Sequence, residues 1–125
     1  MLGDKDAIAT IAVKDIDVAR KFYEGTLGLR PSAQQEEGTL SYQTARATLF
    51  VYPSQYAGTN QATALTWIID DVEGLVQALR EKGVTFEHYD DLPDTTRQGD
   101  IHVGCGKKLA WFKDPDGNIH ALAGE

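Results

Sequence analysis

Val13-Lys14-Asp15-Ile16-Asp17 and Ile69-Asp70-Asp71-Val72-Glu73 carry one five-residue pattern twice: apolar, polar, Asp, apolar, acid. Fifty-six residues separate Asp15 from Asp71, close to half of the 125-residue chain. The surroundings repeat as well. Ala7 to Val13 and Thr63 to Ile69 are short apolar runs with β-branched residues, and each reads as a strand. In both copies the Asp that follows can cap a helix start. A repeat of half the chain length, in the same order of elements, predicts two similar modules packed side by side around a shared cavity.

Outward from these anchors, Val18 and Phe22, with Ala19, fall on one face at helical spacing until Gly25 and Gly28 stop the helix. Strands are expected over Leu29 to Gln35, Leu40 to Thr44 and Ala47 to Tyr52. Residues 54–61, rich in turn formers, read as a linker between an N-terminal module over about 5–53 and a C-terminal one over about 62–125, together one domain. In the second copy Val72, Leu75, Val76 and Leu79 form a helical stripe that ends at Lys82-Gly83. Strands follow over Val84 to Tyr89, Ile101 to Val103, Leu109 to Phe112 and Asn118 to Ala123, the last after the turn Asp114-Pro115-Asp116-Gly117. The fold class is α+β: two tandem βαβββ modules forming a curved mixed sheet that bears a cleft, with helices on the outer face.

Composition bounds the function. Hydrophobic residues at 42% and charged residues at 25% describe a globular chain. No apolar stretch is long enough for a membrane span, and the first residues lack the basic flank and apolar stretch of a signal peptide, so the cytoplasm is expected. A net charge of −7 repels phosphate backbones and acidic membrane surfaces, which argues against nucleic acid and membrane partners and is compatible with a cationic small molecule. Cys105, the single cysteine, allows no intrachain disulfide and reads as a small apolar filler between Gly104 and Gly106.

Three segments carry a family resemblance: Ile11-Ala12-Val13-Lys14-Asp15; Phe22-Tyr23-Glu24-Gly25-Thr26-Leu27-Gly28-Leu29-Arg30-Pro31; and Trp111-Phe112-Lys113-Asp114-Pro115-Asp116-Gly117-Asn118. In this order, with the internal repeat, the chain resembles the glyoxalase, bleomycin-resistance and extradiol-dioxygenase superfamily, the vicinal-oxygen-chelate proteins. The resemblance implies that a metal-using member supplies a His seven residues before each cap Asp and a Glu in the last strand of each module. Here those positions hold Ile8, Ala64, Phe50 and Ala121. None offers the imidazole nitrogen or carboxylate oxygen that a divalent metal needs, so neither a metal nor another cofactor is expected.

Strand alternation sorts the first strand into Ile8, Thr10 and Ala12 on the ligand side and Ala9, Ile11 and Val13 on the other, and the second module repeats this with Ala64, Thr66 and Ile68. If the ligand side lines the cavity, Ile8, Thr10, Phe50, Tyr52, Ala64, Thr66 and Ala121 line it, with Tyr42 a further aromatic candidate and Trp111 or Phe112 reaching in. Trp67 points away, as does His120, a poor metal ligand next to Ala121. His102 is the candidate general base or hydrogen-bonding group, since a free imidazole titrates near neutrality. His88 has no evident partner. The expected function is metal-independent binding of a small organic molecule, a drug-like or cationic aromatic compound, as in the drug-sequestering members. The alternative is a glyoxalase-like lyase, isomerase or dioxygenase with an atypical site. The resemblance also implies a homodimer.

Overall fold

In a computed structural model, residues 1–33 and 35–125 are described and fall into two compact units, residues 1–59 and 60–125. The chain has an α+β fold with two helices and two mixed sheets, one sheet in each unit. Among the described residues no helix is long and apolar enough to cross a membrane.

The first unit runs β1 (Ala9–Val13), α1 (Ile16–Arg20), β2 (Arg30–Pro31), β3 (Leu40–Gln43) and β4 (Thr48–Pro53), with sheet order β1-β4-β3-β2. The Asp15 carboxylate accepts from the Asp17 and Val18 amides, which are orphan donors at the start of α1. From Lys21 to Thr26 the helix widens to a π-helical stretch. It closes with the Leu27 amide donating to the Phe22 carbonyl, five residues back. β1 pairs in parallel with β4, and Ile11, Val13, Leu49 and Val51 are buried with Ala19 and Tyr23 of the helical segment.

Tyr42 belongs to this core. β3 pairs Tyr42 with Leu49 and Ser41 with Phe50, which puts Tyr42 on the helix side. It is fully buried, its ring stacks on Tyr23 at 6.2 Å, and its hydroxyl donates to the Glu24 carboxylate at 2.9 Å. Burial, and then the adjoining carboxylate, push its phenol well above the ordinary tyrosine value. The strand expected over Leu29 to Gln35 includes Gln34, which lies outside the described residues. Arg30–Pro31 is the part that forms β2, and beyond it the Gln35 side-chain amide takes over, donating to the Ser41 carbonyl and accepting from its amide. Residues 54–59 are tied into the first unit: the Ser54 amide donates to the Val13 carbonyl, and Ala57 is buried.

The second unit runs β5 (Thr63–Ile68), α2 (Val72–Glu81), β6 (Phe86–Glu87), β7 (Thr96–Gln98), β8 (Ile101–Gly104), β9 (Lys107–Lys113) and β10 (Ile119–Gly124). The sheet order is β5-β10-β9-β8-β7, with β6 also on β9. Asp71 caps α2 by accepting from the Gly74 amide, and Val72, Val76 and Leu79 are its buried stripe. β7 is a polar strand, Thr96-Arg97-Gln98, that no apolar pattern announces. Cys105 is exposed, contrary to its reading as filler: with Gly106 it forms the two-residue turn between β8 and β9, and both have positive φ, 54° and 73°.

Two polar groups organise the end of this unit. The buried Asp114 carboxylate accepts from the Asp116 and Asn118 amides and from the Asn118 side chain, so the Asp114–Asn118 turn is wound around one acid. His120 is buried on the helix side of β10, stacked on Phe112 at 4.8 Å, and its Nδ1 accepts from the Trp67 indole N–H at 3.1 Å. Burial, partly offset by the Asp114 charge, holds its pKa down at about 4.

Asp114→Ala strands three donors around a buried site, and we expect it to lower stability by about 3 kcal/mol in urea unfolding. For His120, the folded-state pKa lies below the unfolded value, so the unfolded chain binds more protons between pH 6.5 and 4 and stability falls as the pH drops through that window. Between pH 7 and pH 4 the wild type should lose on the order of 3 kcal/mol more than His120→Phe, read by urea unfolding of both proteins. Equal losses would mean that His120 is not buried in its neutral form.

Candidate functional site

Each sheet turns one face to its helix and leaves the other open, and most of the candidate residues lie on the open faces. In the first unit the parallel register sets Thr10 beside Phe50 and Ala12 beside Tyr52. The Phe50 and Tyr52 rings lie parallel at 6.1 Å, because residues two apart on one strand share a face. Ile8, just before β1, is 58% exposed. Tyr42 does not join this group, for the reason given above.

In the second unit Ala64, Thr66 and Ile68 are exposed on β5, while Trp67 sits on the helix side with His120. Phe112 packs there too, against His120 and Phe86, so Trp111 is the β9 aromatic on the open face. Ala121 of β10 has Thr66 on one side and Trp111 on the other. The Trp111 indole N–H reaches two strands over to the Thr63 hydroxyl, at 3.1 Å, where an irregularity between β5 and β10 turns that residue. Ala121 is only 4% exposed, while Thr66 beside it is open.

Tyr89 and His102 complete an aromatic corner. Both rings stand nearly perpendicular to Trp111, with centroids 5.1 Å and 4.9 Å away. His102 is fully buried, and its Nε2 accepts from the Tyr89 backbone N–H at 2.9 Å. An accepting Nε2 carries the lone pair, so the neutral ring bears its hydrogen on Nδ1. Burial lowers its pKa; the Leu109 backbone and the Asp90 charge pull the other way, and His88 and Arg97 add to the lowering. Its basic nitrogen is occupied by an amide, which counts against a general-base role.

Nothing local in the sequence singles out Tyr89, the last residue of the strand expected over Val84 to Tyr89; β6 spans only Phe86–Glu87 of it, and the partners of Tyr89 lie on β8 and β9. His88 does have a partner: its Nε2 is 2.7 Å from the Asp100 carboxylate, which Arg80 approaches at 3.5 Å. Arg97 donates to Asp90 at 2.6 Å and to the Gly99 carbonyl at 2.9 Å, so charged pairs brace the segment over 88–100. Glu87, the β9-register partner of Trp111, pairs with Lys113 at 3.3 Å.

The donor chemistry does not fit a metal. Ile8, Phe50, Ala64 and Ala121 offer no coordinating atom, and among the described residues no group of three or more His, Cys, Asp or Glu side chains could hold an ion.

No curated protein matches the chain. Solved structures do. The glyoxalase family protein from Enterococcus faecalis is 18% identical, with a TM-score of 0.72, over 98% of this chain and 99% of its own. A Glyoxalase/bleomycin resistance protein/dioxygenase superfamily member from Sphaerobacter thermophilus is 23% identical, with a TM-score of 0.69, over all of both chains. Lactoylglutathione lyase from Agrobacterium tumefaciens is 16% identical, with a TM-score of 0.68, over 96% of this chain and 93% of its own. At these identities the likeness is one of fold. The sequence itself matches a family profile over residues 6–122, and by that match the chain belongs to the Glyoxalase/Bleomycin resistance protein/Dioxygenase superfamily.

Proposed function

We propose that this chain binds a small organic molecule without a metal, in the manner of the drug-sequestering branch of its superfamily, and that the ligand is drug-like and aromatic. The observation that carries this reading is the substitution of apolar side chains for ligands on open faces that also carry rings: Phe50 and Tyr52 in one unit, Trp111 and Tyr89 in the other. An open apolar face on a folded chain marks a binding surface more often than a vacancy. Aromatic side chains on rigid strands supply contact area with little ordering cost.

Charge favours a cation as the ligand. Residues 60–125, the unit with Trp111, hold twelve acidic and six basic residues, whereas residues 1–59 hold seven and six. The acid excess raises the local concentration of cations, and an indole face attracts them. A homodimer in the cytoplasm completes the proposal. The lyase, isomerase or dioxygenase alternative loses its best candidate base with the engagement of His102 Nε2.

Titration with 9-aminoacridine, a cationic planar dye, and with neutral acridine, both in the presence of EDTA, tests this. We expect saturable binding without turnover, tighter for the cation, and weakened about tenfold by Phe50→Ala, Tyr52→Ala or Trp111→Ala. No binding across a broad panel of cationic and neutral aromatics would overturn it. In light scattering at micromolar concentration the protein should have the mass of a dimer, and a monomer would refute that part.

A further inference from the structure

The aromatic corner of the second unit is held by one hydrogen bond of unusual placement. Tyr89 follows β6, on a segment that leaves the sheet until β7, and has no strand partner of its own. Its backbone N–H is satisfied by a side chain, His102 Nε2, from β8. The same imidazole stands edge-on to Trp111 at 4.9 Å and 82°, and Tyr89 stands edge-on to Trp111 at 5.1 Å and 81°. Removing the imidazole would therefore leave the Tyr89 amide without its acceptor and take away one wall of Trp111 together.

We infer that His102 is a positioning residue: its neutral imidazole clamps the Tyr89 backbone and seats Trp111, and the ligand-binding surface of this unit exists only while Nε2 is unprotonated. The inference rests on the binding function proposed above and assigns that function a pH limit. Protonation puts a second hydrogen on the ring, at the nitrogen where the Tyr89 N–H already points, and two donors cannot share that position. The charged neighbours divide. His88 and Arg97 oppose a cation at His102 and Asp90 favours it, but Asp90 is already bound to Arg97. Tyr89, Leu109 and Trp111 bring no formal charge. Burial is the largest influence and keeps the ring neutral below the ordinary histidine range, so the clamp should release only in acid.

Nitrogen-15 spectra of the imidazole side chains and hydrogen exchange at the Tyr89 amide test the clamp, and 9-aminoacridine titration tests its consequence. At pH 7 the His102 ring should carry its hydrogen on Nδ1, and the Tyr89 amide should exchange slowly. His102→Phe keeps a ring but offers no acceptor; it should lose the Tyr89 protection and bind the dye about tenfold more weakly. His102→Gln offers a carbonyl acceptor and should restore much of both. Wild-type affinity should fall more steeply than that of His102→Gln as the pH drops from 7 to 5, the Gln variant correcting for the general loss of negative charge. Hydrogen on Nε2 in the wild type, or His102→Phe binding as tightly as wild type, would overturn the inference. If the wild type binds no aromatic probe, the proposed function fails, while the tautomer and the exchange rate still decide the clamp.

Discussion

A β-sheet has two faces, and in each unit of this protein one helical segment covers one of them. Everything apolar enough to need cover competes for the helix side: Ile11, Val13, Tyr42 and Val51 in the first unit, and Ala110, Phe112, His120 and Leu122 in the second, are there and buried. What remains on the other face is a polar-to-aromatic surface on rigid strands, since alternate residues of the same strands must point that way. The Phe50 and Tyr52 pair and the Trp111 corner are products of that one-sidedness.

Polar groups buried in the second unit carry out structural work. Asp114 winds a turn, His120 receives an indole hydrogen bond, and His102 receives a backbone amide. Each is a residue type that performs catalysis when its lone pair is free. Here the lone pairs are committed, and burial keeps both imidazoles neutral, since a cation in apolar surroundings is costly. Trp111 commits its indole hydrogen in the same way, to the Thr63 hydroxyl two strands away.

The repeat and the caps were legible because they are local. Asp15 and Asp71 bind amides within three residues, and the period of two assigns Thr10 and Ile11 to opposite faces without knowledge of the partner strand. Tyr42 was misassigned because its face depends on pairing with Leu49, and sequence does not reveal register. The same register, Trp111 with Ala121, decided between Trp111 and Phe112. The expected strand over Leu29 to Gln35 pairs only at Arg30–Pro31, where Pro31 offers no N–H. Tyr89 and His102 fall in the strands expected over Val84 to Tyr89 and Ile101 to Val103, but sequence does not reveal the pairing that brings both to Trp111. The His88 and Asp100 pair was invisible for the same reason.

Metal-independent binding is the premise of the proposed function, and metal retention can be measured without knowing any ligand. Tag-free protein incubated with Ni, Zn, Mn and Fe(II), then desalted and analysed by elemental mass spectrometry, should retain almost none, because Ile8, Phe50, Ala64 and Ala121 cannot coordinate. Retention of about one metal ion per chain would contradict the reading, since it would require a donor set elsewhere, and an enzyme would then be the better account.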